Sequence, residues 1–332
     1  MPDTSSPTSA QPTPASGGAP ARRRLTVVVN PTKVDDLDAA QALLAEVCER
    51  HGWPEPTWAQ TTEDQTGEQQ SRDAVAAGAD VVASLGGDGT VRAVAAGLVG
   101  TDVALGLLPA GTGNLLARNL GLPVDSLDEA AEAMVGGSEH RIDVGLVRSG
   151  VEQLAVADGQ EPAGDEELFL VMTGFGLDGE VMAGTNEKIK GVLGWPAYAI
   201  AAAKRLGGRG FVVQVDHPRS EGTVVRHCRT VLVGNCGMLQ GGVELMPDAR
   251  PDDGILDLAV VAPRGLFGWF SVLGAVASRG RVGHRRLDRL RSTAFRIVAD
   301  RPVEAEIDGD PMGEHDSLSA RVLPDALVVR SG

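Results

Sequence analysis

Val81-Val82-Ala83-Ser84-Leu85-Gly86-Gly87-Asp88-Gly89-Thr90-Val91 is the stretch on which the reading of this chain turns. Val81 to Leu85 is an apolar, β-branched run of strand length, and three glycines follow it where a helical pattern, Val91 to Leu98, begins. A strand that gives way to glycines at a helix start is where α/β sheets bind ligands. Lacking Cβ atoms, Gly86, Gly87 and Gly89 let the backbone approach a phosphate, and the free N–H groups at the helix start favour an anion. Thr90 completes the loop, which reads as a phosphate grip or, more plainly, as a tight turn before a helix. Asp88 fits two roles, orienting the loop or facing the hydration shell of Mg²⁺, because a carboxylate aimed at phosphate would repel it.

The same logic extends outward. Leu25 to Val29 is a strand closed by Asn30-Pro31, and Leu37 to Arg50 is a helix with Leu43, Leu44 and Val47 on one face. A second helix, Gln69 to Ala77, leads into the central strand. Beyond it come a strand at Val103 to Leu108, a second glycine loop at Pro109 to Asn114, and a helix from Asn114 to Leu120. Strands alternating with helices predict parallel pairing in an α/β domain. In the second loop Gly111 and Gly113 open the backbone, while Thr112 and Asn114 offer side-chain donors. Asn114 reads equally as an N-cap. Asn30, Thr32 and Lys33 end the first strand on the same sheet edge, where they can hold base, ribose or phosphate. Lys33 reads equally as a solvated charge.

From about Arg141 helical patterns become scarce, and Leu168 to Thr173, Phe211 to Val215, Thr230 to Val233 and Leu256 to Val261 read as strands of a second, mainly antiparallel domain. Ile142-Asp143-Val144-Gly145 reads as the crossing strand. The expected division is a disordered tail over 1–23, an α/β domain over 24–143 and an all-β domain over 144–319. The 332-residue chain carries 42% hydrophobic residues, enough for two cores. Its net charge of −15 argues against a nucleic-acid partner. Cys48, Cys228 and Cys236 have no metal or disulfide spacing, which fits a reducing cytoplasm. Arg22 to Arg24 run straight into a strand rather than into the apolar stretch of an export signal. The longest apolar runs, Val192 to Ala203 and Gly265 to Ala277, fall short of the roughly 18 residues of a membrane span. Any membrane contact is therefore expected to be peripheral.

Two further segments carry chemistry. Gly241 to Asp257 packs acidic residues around glycines before a strand, and hard oxygen ligands at a turn suit Mg²⁺. Ala305-Glu306-Ile307-Asp308-Gly309-Asp310-Pro311 reads as a hairpin with an Asp-Gly turn, which alone is a structural signal.

In order and spacing, Asn30-Pro31, Gly86 to Thr90, Pro109 to Asn114, Gly242 to Asp257 and Asp308-Gly309-Asp310 resemble the diacylglycerol kinase catalytic-domain family, which includes bacterial lipid kinases and sphingosine kinases. The resemblance runs from about Leu25 to Arg330. It implies an α/β nucleotide domain like that of NAD kinases and phosphofructokinases, a C-terminal β-sandwich, and an active site in the cleft between them. The last strand, residues 320–330, would return to the first domain. The resemblance further implies ATP and Mg²⁺, with Asp308 as the general base that deprotonates a lipid hydroxyl. A structural Mg²⁺ would fall on the Asp253 carboxylate and the Arg250 and Ile255 carbonyls. Thr62 or Thr61 would face the nucleotide, Lys188 or Lys190 would lie near the phosphates, and Asp178, in Gly174-Phe175-Gly176-Leu177-Asp178, would wall the acceptor pocket or serve the β domain's own turns.

The chain departs from the family's pattern at several points. Thr32-Lys33 follows Asn30-Pro31 where Ser-Gly is usual, Val91-Arg92-Ala93 replaces Leu-Asn-Glu, Leu115 replaces a common Asp, and Asp310 stands where Glu is typical. Leu266 to Leu273 concentrates aromatics, and reads as core or as a segment dipping into a bilayer interface. The arginines between Arg279 and Arg291 suit anionic headgroups or a solvated face. The expected function is thus an ATP- and Mg²⁺-dependent lipid kinase, cytoplasmic with contact at the inner membrane face. A homodimer is left open, as are an NAD kinase and a non-catalytic nucleotide-binding regulator.

Overall fold

The computed structural model describes residues 23–150, 165–176, 210–218, 223–239, 242–262 and 287–332. Its first region alternates β1 (Leu25–Val29), α1 (Leu37–Arg50), β2 (Thr57–Gln60), α2 (Glu68–Ala76), β3 (Val81–Gly86), α3 (Asp88–Leu98), β4 (Ala104–Pro109), α4 (Leu115–Asn119) and α5 (Leu127–Gly136). The four strands pair in parallel in the order β4-β3-β1-β2. Helices cover both faces, so β3 is buried at all six positions, the reason its sequence is a continuous apolar run rather than an alternating one. The Asp36 side chain caps α1 by accepting from Ala39 N at 2.9 Å. Leu44 and Val47 of α1 are fully buried, and Leu43 packs at the margin of the same cluster.

Two elements go beyond the sequence expectation. β2 is a short edge strand, partly polar and without usable periodicity, that gains its identity from pairing with β1. α5 announced itself more openly, since Ser126 caps it by accepting from Glu129 N at 3.3 Å and Ser126 and Glu129 have capping-box spacing. α3 also begins at Asp88 rather than at Val91, so most of the glycine loop is its first turn.

The remainder is antiparallel. It comprises β5 (Ser138–Ser149), β6 (Glu167–Phe169), β7 (Met172–Phe175), β8 (Phe211–Asp216), β9 (Val224–Cys228), β10 (Thr230–Gly234), the small pair β11 (Met238–Leu239) and β12 (Val243–Glu244), β13 (Leu256–Val261), β14 (Leu287–Ser292), β15 (Ala294–Ile307) and β16 (Asp310–Ser331). β14, β13, β10, β7 and β15 lie side by side, and β8 with β9 extends from the far end of β15. A buried cluster including Phe169, Phe175, Phe211 and Phe295 fills this region.

β5 and β16 join the two regions. They pair antiparallel over most of their length, and Val329 of β16 lies parallel beside Leu105 of β4. Their register shifts between Leu323 and Leu327, where Asp325 adopts a left-handed φ of 51°. Asp143 pins that bend. Its Oδ1 accepts from Asp325 N at 2.9 Å, and its Oδ2 accepts from Gly254 N at 2.6 Å. Burial raises its pKa above the usual carboxylate range, and the two amides work against that rise. One side chain thereby fixes the strand crossing and seats the acidic turn.

Candidate active site

The two glycine loops meet back to back at the carboxyl ends of β3 and β4. Ala110 N donates to Gly86 O at 3.2 Å, and a Cβ on Gly111 would come within 2.8 Å of Gly87 Cα. The first-turn amides of α3 have no intrahelical acceptors and open on the cleft. Asp88 spans both loops, with its Oδ1 accepting from Leu115 N at 2.6 Å and so capping α4 from a different segment. Burial pushes its carboxyl up to about 6. The Leu115 amide opposes this, and the Asp308 and Asp310 carboxylates add to it. Asn114 makes no side-chain cap. It takes a left-handed φ of 49° and donates from Nδ2 to Gly111 O at 2.8 Å, which closes the second loop on itself.

Across the cleft, β15 and β16 are joined by Asp308 (φ 50°) and Gly309 (φ 88°), with Ile307 paired to Asp310. Two consecutive residues at positive φ make a tight primed hairpin turn, which explains Asp-Gly here. Only 4% exposed, the Asp308 carboxylate is held by three amides. Oδ2 accepts from Leu170 N at 2.9 Å, and Oδ1 accepts from Val171 N at 2.8 Å and Met172 N at 3.0 Å. Burial raises its pKa, while the Arg92 charge and the three amides restrain the rise. Glu306, two residues earlier on β15, is 1% exposed, and its Oε2 accepts from Gly309 N at 2.7 Å while Oε1 has no partner. Burial pushes this carboxyl up to about 8, so it is mostly protonated at neutral pH.

Between these walls lies a cleft of about 1060 Å³. Asn30, Lys33, Thr61, Thr62, residues 87–90, Gly111 and Thr112 line it from the α/β side, and Leu146, Glu166 to Leu168 and residues 308–310 from the β side. Three expected nucleotide ligands do not line it. Thr32 donates from its hydroxyl to Asn30 Oδ1 at 2.8 Å, Asn114 is turned inward, and Gly86 is the last residue of the buried strand. Thr61 and Thr62 both face the cleft, and Thr62 Oγ1 also accepts from Gln65 N at 3.1 Å. Asp178, Lys188, Lys190, Gly241 and the Leu266 to Leu273 segment lie outside the described residues.

The diacylglycerol kinase catalytic domain model matches residues 24–147, and the model of the YegS C-terminal NAD kinase beta sandwich-like domain matches residues 171–331. The chain belongs to the diacylglycerol kinase catalytic-domain family. Among its relatives is a Pseudomonas aeruginosa protein named probable lipid kinase YegS-like, 30% identical over 276 residues, which are 81% of this chain and 82% of the relative. A Pseudomonas putida protein of the same name is 32% identical over 269 residues, 77% of this chain and 78% of its own. A solved diacylglycerol kinase from Bacillus anthracis str. Sterne shares the fold with a TM-score of 0.67 at 19% identity, covering 93% of this chain and 97% of its own. The family's glycine loop and its Asp-Gly hairpin fall in different matched regions, and folding brings them to one cleft.

The donor sets differ in how well they suit the groups the family implies. Free helix-start amides beside glycines that leave the backbone bare suit a polyphosphate. Among the described residues no three His, Cys, Asp or Glu side chains converge on one point, so a cation in the cleft would draw most of its ligands from nucleotide and water. The acidic turn does not fit a metal as it stands. Asp253 Oδ1 accepts from Ile255 N at 3.1 Å, and its Oδ2 is ion-paired to Arg291, which also reaches Asp257 Oδ2 at 3.3 Å. The Arg250 side chain turns to Asp252 at 3.3 Å. A cation at Asp253 would have to displace Arg291, and the turn does not line the cleft.

Sequence reasoning gave no role to Glu306 and met Arg92 only as a departure from the family. Glu306 carried a signal, a carboxylate spaced two residues from Asp308 on a buried strand. Arg92 carried none, because its partner lies 218 residues away.

Proposed function

We propose that this protein is an ATP- and Mg²⁺-dependent lipid kinase that transfers the γ-phosphoryl group of ATP to a lipid hydroxyl, with Asp308 as general base. The observation that supports this best is the placement of Asp308, an amide-held carboxylate on the cleft wall opposite the free amides of α3. Gly87, Gly89, Thr90, Gly111 and Thr112 would cradle the phosphates, and Asn30, Lys33 and Thr61 or Thr62 the rest of the nucleotide. Gly86 and Asn114 shape the loops, and Asp88 locks them together.

The acceptor hydroxyl enters from the β side. Asp308 takes its proton as the oxygen bonds to the γ-phosphorus, the bond from phosphorus to the bridging oxygen breaks, and ADP leaves with that electron pair. Three amides fix the carboxylate's orientation, so the base does not search rotamers as the hydroxyl arrives. Glu306 holds its proton at neutral pH and so adds no second negative charge behind Asp308. Mg²⁺, bound with the nucleotide, neutralises charge on the phosphate oxygens. No helix among the described residues is long and apolar enough to cross a membrane, and the lipid would be met at a surface.

Purified protein with Mg²⁺, labelled ATP, and mixed micelles carrying diacylglycerol, ceramide or sphingosine, run beside NAD, tests the reading. Label on a lipid is expected. Label on NAD alone would replace the lipid acceptor with a dinucleotide, and tight ATP binding without transfer would make the protein a sensor.

A further inference from the structure

Arg92 and Asp310 are both departures from the family's usual residues, and they touch each other. From the second turn of α3, Arg92 reaches across the cleft. One guanidinium nitrogen donates to Ile307 O at 2.7 Å, and the other donates to Asp310 Oδ2 at 2.7 Å. These two acceptors flank Asp308 and Gly309, so a single planar group grips both ends of the turn that carries the general base. Gly89, one helical turn before Arg92, leaves the matching gap: a Cβ there would lie 3.1 Å from Asp310 Oδ2.

We propose that Arg92 is a positioning residue, the clasp that holds the Asp308–Asp310 hairpin against the start of α3, with Asp310 as its anchor. This rests on the kinase reading above for its purpose, though not for its geometry. Strength does not explain the contact, since the Asp310 side chain is 52% exposed and ion pairs to half-exposed carboxylates add little stability. Geometry does explain it. Two parallel donors on a rigid fork fix distance and direction together, which a flexible ammonium does not. The hairpin belongs to the β region and the glycine loop to the α/β region, and small misplacements between reacting groups are costly in rate. Asp310, one methylene shorter than Glu, leaves room for the guanidinium between carboxylate and helix.

Hydrogen exchange on the nucleotide-free protein tests the clasp without any assay of activity. In Arg92→Met the amides of Asp308, Gly309 and Asp310 are expected to exchange at least about tenfold faster, with β1 and β3 unchanged. Equal protection in wild type and variant would overturn the proposal. In the kinase assay, Arg92→Met is expected to lower kcat by at least about tenfold with KM for ATP within about twofold. Asp310→Asn should lose part of that, and the double variant should be no worse than Arg92→Met alone. Arg92→Lys should restore little, because one ammonium cannot serve both acceptors. A raised KM for ATP with kcat intact would overturn the proposal and make Arg92 a phosphate ligand. If the wild-type protein phosphorylates nothing, the kinase reading fails while the exchange result still decides the clasp.

Discussion

Glu306→Gln should change the pH dependence of stability in a way few other substitutions here can. The unfolded carboxyl titrates near 4.5, and the folded one near 8 because burial disfavours its charge. Below 4.5 both states are protonated and the group contributes nothing to the pH slope. Between 4.5 and 8 the folded protein keeps a proton that the unfolded chain has released, so stability falls as pH rises through this window. Above 8 the whole penalty is present. A rise from 4.5 to about 8 corresponds to roughly 4 to 5 kcal/mol. Glutamine has the shape of the protonated acid, and its Oε1 can still accept from Gly309 N. Its amide nitrogen takes the unpartnered position of Glu306 Oε1, at a cost of about 1 kcal/mol at every pH. The variant should therefore match wild type to within about 0.5 kcal/mol at pH 5, where the unfolded carboxyl is already mostly ionised, and be about 3 to 4 kcal/mol more stable at pH 9. Urea unfolding of both proteins at pH 5, 7 and 9 reads the difference directly. A gap that stays constant across pH would refute the reasoning, since it would place the ionisation of Glu306 in the ordinary range.

Asp308→Asn should cut phosphoryl transfer by at least about 100-fold. It should also cost about 1 to 3 kcal/mol, because the carboxamide nitrogen would face an amide N–H, so transfer must be compared at equal folded fraction. Wild-type kcat in that variant would remove Asp308 from the mechanism. Gly97→Ala, in α3 and away from the chemistry, should lower stability by about 1 to 3 kcal/mol. Its Cβ would lie 1.9 Å from Ser71 Oγ and 2.7 Å from the Glu68 carbonyl, forcing α2 and α3 apart, and an unchanged thermal midpoint would show that the helices separate freely. Chelation with EDTA should leave the thermal midpoint of the nucleotide-free protein unchanged. Arg291→Met should lower stability by about 2 kcal/mol by leaving buried Asp257 without its partner. A fall on chelation would instead place a cation in the acidic turn.

Much of the fold was legible because it is written in local periods. The apolar runs of β1, β3 and β4 and the amphipathic spacing of α1 need only their own residues to be recognised. The glycine loops were legible for a similar reason, since absent Cβ atoms at a strand end have few other uses. Asp308 was a different case. Asp-Gly turns are common, and only the family resemblance gave this one a role. What it needed was the amides of Leu170 to Met172, more than 130 residues away, to hold the carboxylate on the cleft wall.

By itself the sequence determined the alternation of strand and helix, the bare backbone at the ends of β3 and β4, and the tight turn at Asp308-Gly309, since each follows from side-chain size and pattern over a few residues. Only the tertiary structure decided which polar groups meet. It gave Asp88 to Leu115, tied Asp253 to Arg291 and clasped Asp310 with Arg92. Hydrogen bonds and ion pairs act over a few ångströms between any two segments that folding brings together, and nothing in the local spacing of either partner records the other.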